Sequence, residues 1–114
     1  MNLLPPEVRA PFAHYPIGSQ DGRGMQAIVV AKFFFPSGRY TLFVTEGEPE
    51  GDDDFLFFGY CLSALGEDCD EWGYTRLTEL QSVERDGLTI ERDLYFPAAT
   101  KTVAGALKSH LSSS

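Results

Sequence analysis

Three apolar runs, rich in β-branched and aromatic residues, follow one another between residues 25 and 62, each bounded by turn residues. The first, "MQAIVVAKFFF" (25–35), is apolar on both faces, as in a strand inside a sheet. "FPSG" follows, with Pro36 suited to position i+1 of a type I turn and Gly38 to i+3. "RYTLFVT" (39–45) then returns with strict alternation, so residues 25–45 read as a β-hairpin. "FLFFGYCL" (55–62) is a third strand, again apolar on both faces, and "WGYTRL" (72–77) a short fourth. "LTIERDLYF" (88–96) is the last strand candidate, placing Leu88, Ile90, Arg92, Leu94 and Phe96 on one side.

Helical signals lie around these runs. Pro6 and Glu7 suit the first turn of a short N-terminal helix that Pro11 ends early. Thr78–Gln81, "TELQ", matches a capping box and predicts a helix to about Glu84, where Asp86-Gly87 breaks it. "TVAGALKSH" (102–110) predicts a terminal helix. The expected architecture is α+β: a single domain over residues 1–114, an antiparallel meander of about four to five strands with short helices. Residues 110–114 are expected to form a frayed polar tail.

Charge is concentrated in one segment. The chain carries −8 overall, but residues 46–71 hold ten acids and no Lys or Arg. The remainder has seven acids against nine bases. Glu46, Glu48, Glu50, Asp52, Asp53 and Asp54 crowd one stretch; with Gly47, Pro49 and Gly51 among them, the expectation is a solvated loop. Glu67, Asp68, Asp70 and Glu71 form a second acidic loop. Such a block repels phosphates, which argues against direct nucleic-acid binding and for a basic protein surface as partner, a cation or plain solubility. Those ten acids are the candidate partner-binding residues.

Other chemistry is sparsely signalled. Asp68, Asp70, Gly73 and Glu79 fall at positions 1, 3, 6 and 12 of an EF-hand loop, but Trp72 at position 5 offers no oxygen and the flanks read as strands. Glu79 fits better in the first turn of a helix. Cys61 and Cys69 have no histidine near them in sequence and read as a strand cysteine and an incidental loop cysteine. Neither nucleophile elbow nor phosphate loop occurs. The aromatics at 33–35, 55, 57, 58 and 60 would need basic neighbours to stack bases, so core packing is expected. Arg92 alternates away from Glu91 and Asp93; facing inward it would need a carboxylate partner. No catalytic residue, metal or cofactor is assigned. Two cysteines and no basic-then-apolar start point to the cytoplasm.

The stretches "NLLPPEVRA", "KFFFPSGRYTLFVTEGE", "DFLFFGY", "WGYTRLTELQSV" and "GLTIERDLYF", spanning about residues 2–96, resemble a small bacterial family of unknown function (domain of unknown function 2958). The resemblance implies a cytoplasmic accessory protein of a plasmid or other mobile element, and supplies no catalytic residues. Together with the charge it leads to the expectation of a non-enzymatic acidic interaction protein that docks a basic DNA-handling or defence protein by mimicking nucleic-acid charge. The alternative is a metal-assisted enzyme or cation-binding protein using the same carboxylates.

Overall fold

In the computed structural model, which describes residues 1–112, the apolar runs become an antiparallel sheet. Chain order is α1 (Pro6–Arg9), β1 (Ile28–Val29), β2 (Ala31–Phe34), β3 (Thr41–Glu50), β4 (Asp54–Leu62), β5 (Glu71–Arg76), α2 (Leu77–Ser82), β6 (Glu84–Arg85), β7 (Leu88–Thr89), β8 (Glu91–Arg92), β9 (Lys101–Thr102) and α3 (Val103–Ser112). Three short 3-10 turns, at Ala10–His14, Gly24–Gln26 and Glu67–Cys69, complete it. The five-stranded sheet has the order β5-β4-β3-β2-β8; β1 pairs with β9 and β6 with β7 in separate ribbons. The expected α+β meander is therefore the observed fold.

The sheet is covered on both faces. On the first, the N-terminal segment and α2 pack Leu3, Phe12 and Leu80 against Phe33, Leu42, Phe55 and Phe57. On the second, Val103 and Ala106 of α3 close over Val29, Phe43 and Leu62. Gly59 is required where β4 presses on β3: a Cβ there would lie 2.2 Å from the Phe43 carbonyl oxygen.

Four expectations need correction. Residues 46–50 are not loop but the second half of β3, paired with β4 down to Glu50↔Asp54; only residues 51–53 turn, with Gly51 at φ 64°. The physical reason is visible in "EGEPE", which alternates with the period of a strand. Gly47 faces the first core, where a Cβ would sit 2.7 Å from the Phe55 ring and 2.9 Å from that of Phe12. Beyond Val44 strand β2 no longer pairs with β3, so Pro49, which has no N–H, fits an open edge.

The strand expected over 25–35 is divided into a 3-10 turn, β1 and β2. The strand expected over 88–96 survives only as β7 and β8. Ile90 turns into the core between them, and Asp93 accepts the Tyr95 N–H at 3.0 Å, bending the chain so that Leu94 and Tyr95 stand in solvent. Finally, α3 runs through His110 to Ser112, so these three residues are helical, not frayed; residues 113 and 114 of the expected tail lie outside the described residues.

Candidate functional site

Five of the ten acids are held by the fold itself. Glu46 is buried: its carboxylate accepts the Gly18 N–H at 2.7 Å and the Gln20 N–H at 2.8 Å. The Gln20 amide in turn donates to the Ile28 and Thr45 carbonyls, both at 2.8 Å, and accepts the Ile28 N–H. Glu48 accepts the Ile17 N–H at 3.0 Å, and Glu50 pairs with Arg76.

Asp54 accepts the Thr78 N–H at 3.2 Å and its hydroxyl at 2.8 Å, taking a free donor at the start of α2 from another element. The Thr78 hydroxyl above all holds this carboxyl below its ordinary range. Asp70 forms a two-pronged pair with Arg39 at 2.5 and 2.6 Å and accepts the Ser63 N–H at 2.7 Å; the Arg39 bond lowers its pKa likewise.

The remaining acids, Asp52, Asp53, Glu67, Asp68 and Glu71, are exposed. They fall into two groups. Asp52 and Asp53 sit on the β3–β4 turn, whereas Glu67, Asp68 and Glu71 lie where the chain leaves β4 and enters β5. The nine residues of β4 separate the groups, about 27 Å at roughly 3.4 Å per residue, so the two acidic segments do not merge into one face.

What lies between them was not legible as a surface. β5 is the outermost strand of the sheet. Its register opposite β4, Phe58↔Tyr74 and Tyr60↔Trp72, builds an aromatic ladder on the second face. Phe58 stacks on Trp72 at 5.7 Å and 15°, meets Tyr74 at 4.9 Å, and Tyr60 meets Trp72 at 5.4 Å. Tyr60 and Trp72 also touch the α3 cluster; Phe58 and Tyr74 lie beyond it, and Tyr74 is 62% exposed. Beside the ladder is a cleft of about 380 Å³ whose lining includes Phe58, Trp72, Gly22, Asp21 and Glu46. Of the aromatics assigned to the core, Phe33, Phe55 and Phe57 are buried there, while Phe58 and Tyr60 belong to the ladder. Cross-strand register was the missing information, since Trp72 and Tyr74 acquire this role only opposite β4.

The EF-hand spacing does not produce a site. Residues 71–76 are strand, Asp70 is engaged by Arg39, and Glu79 accepts the Arg76 N–H at 3.0 Å as the N3 carboxylate of α2. The N-cap lies two residues earlier than expected, at Arg76 and not Thr78. Among the described residues no group of three or more His, Cys, Asp or Glu is placed to hold a metal. Among the described residues Arg92 finds no carboxylate and its buried Nε no hydrogen-bond partner, while the neighbouring Asp93 pairs with Lys32 at 3.3 Å. His110 packs edge-on against Phe43 at 5.9 Å; burial, then Lys32 and Arg39, push its pKa down.

Among the described residues no helix is long and apolar enough to cross a membrane. A family model described as protein of unknown function (DUF2958) matches residues 3–108. No curated protein and no solved structure matches.

Proposed function

Because the chain belongs to the DUF2958 family of proteins of unknown function, its own surface is the guide to its role, and we propose that it is a non-enzymatic interaction protein that docks a basic partner segment along the β5 edge. The observation that carries this is the open edge strand with exposed acids at both ends and a half-exposed aromatic ladder beside it. An extended segment can add to such an edge through main-chain hydrogen bonds. Arg or Lys side chains would then stack on Trp72 and Tyr74. Asp52 and Asp53 at one end, and Glu67, Asp68 and Glu71 at the other, would attract cations and set the direction of docking.

In a bacterial cytoplasm, on a mobile element, the partner is a DNA-handling or defence protein whose basic extended segment meets carboxylates in place of phosphates. The metal-dependent alternative has less support, because Asp70 and Glu79 already serve Arg39 and the start of α2.

Trp72 is the only tryptophan of the chain and lies in the proposed contact, so its fluorescence reports on it. Titration with an Arg-rich extended peptide is expected to change that fluorescence at low salt and to lose the effect at high salt. Tyr74→Ala, or Asn and Gln at the five exposed acids, should weaken binding at least several-fold, and an acidic peptide should not bind. Pull-downs with the same baits then name the partner. Equal binding by wild type and the five-fold variant would overturn the proposal.

A further inference from the structure

The two cysteines, unrelated in sequence pattern, are brought to one place. Both are thiols, and both line a single cleft of about 340 Å³ with Ser63, Glu71 and Gly73. The cause is the β4–β5 register: Cys61 is the partner of Glu71, and Cys69 stands two residues before Glu71. Partners across an antiparallel pair have Cα atoms about 4.5–5.5 Å apart, and a disulfide asks for about 4.4–6.8 Å. That spacing belongs to Cys61 and Glu71; Cys69 lies two residues further along, on the exposed 3-10 turn Glu67–Cys69, and a Cys61–Cys69 bond would form by that turn closing over the shared cleft.

We infer that Cys61 and Cys69 are a peroxide-reactive dithiol that closes to an intramolecular disulfide. Their surroundings divide the roles. Cys69 is exposed and meets the oxidant first. Cys61 is half-buried on the strand, and its thiol is pushed up by burial and then by Asp70, so it stays protonated and unreactive towards dilute oxidant. The Cys69 thiolate attacks the peroxide O–O bond, giving the sulfenic acid and releasing hydroxide, which takes a proton to become water. The Cys61 sulfur then attacks the sulfenic sulfur. Its proton leaves with the displaced hydroxide as a second water, and the S–S bond forms. Two thiols are oxidised and one peroxide is reduced to two waters. The inference is independent of the docking proposal, although the moving turn carries Glu67 and Asp68.

The test is peptide mapping of the full chain after treatment with hydrogen peroxide. The expected product is monomeric, lighter by two hydrogens, free of alkylatable thiol, and yields a Cys61–Cys69 linked peptide that a dithiol reductant reverses. Cys61→Ser should instead trap a sulfenic acid at Cys69 that a dimedone probe labels. Cys69→Ser should leave Cys61 reacting roughly tenfold or more slowly than Cys69 in the wild type. Because the mapping uses the unaltered chain, it stands even if a variant folds poorly. Disulfide-linked dimers through Cys69 with Cys61 still alkylatable would overturn the inference, as would over-oxidation of Cys69 with no bridge.

Discussion

Glu46 carries an assignment that composition could not reveal. In sequence it is one acid among ten; in the fold it is a buried acceptor for two backbone N–H groups of the loop before β1. Glu46→Gln replaces one acceptor oxygen with a donor facing an N–H. The expected loss is about 1–3 kcal/mol, the cost of a broken charge-assisted bond and an unsatisfied group, read from urea unfolding. Gly59 is a second such position. A methyl group there meets the β3 backbone itself, which cannot yield as a side chain could, so Gly59→Ala should abolish soluble folded protein or cost about 3 kcal/mol or more. Neither requirement is visible in the local sequence, because Glu46 depends on the loop that folds over it and Gly59 on the strand that lies alongside.

Strands and helices were more readable than single residues, and the misreadings have a common origin. Of the strands expected over 25–35, 39–45, 55–62 and 72–77, the third lies wholly within β4, the second and fourth match β3 and β5 except at their ends, and the first is divided. Elsewhere pairing overrides local signals: the alternation of "EGEPE" prevails over its Gly and Pro content, and "LTIERDLYF" bends where Ile90 is drawn into the core. For α2, the residue beneath its first turn is Asp54 of β4, so Asp54→Ala should lower the melting temperature more than Asp54→Asn does. The lowered pKa values of Asp54 and Asp70 mean their contribution is present above the ordinary carboxyl value of 3.8 and disappears as acid carries the pH through their lowered values. For α3 the relevant group is His110, which folding holds neutral against Phe43. Its depressed folded pKa makes stability full above 6.5, the ordinary value, and falling as the pH drops towards the folded value. Urea midpoints at about pH 7.5 and about pH 5.5 should therefore differ, and His110→Gln should reduce that difference.

At the scale of the whole molecule, the formal charge of −8 overstates the free acidity, because half of the acids in residues 46–71 have partners within the fold. Neutralising Asp52, Asp53, Glu67, Asp68 and Glu71 together should leave stability within about 0.5 kcal/mol per site. Neutralising Glu46, Glu48, Glu50, Asp54 and Asp70 should unfold the chain, and circular dichroism of the two five-fold variants distinguishes the sets. The order β5-β4-β3-β2 has a further meaning for how the molecule is made. Neighbouring strands in this part of the sheet are also neighbours along the chain, so hairpins can form in succession with little loop-closure entropy. Among the strand pairings of the described residues, only those of β8 and of the β1–β9 ribbon that seats α3 join segments distant along the chain. In stopped-flow chevrons, changes along β3 and β4 should slow refolding, whereas changes in α3 should act chiefly on the unfolding limb. The nascent chain would thus hold its sheet while the helix that shields Phe43 is still being synthesised.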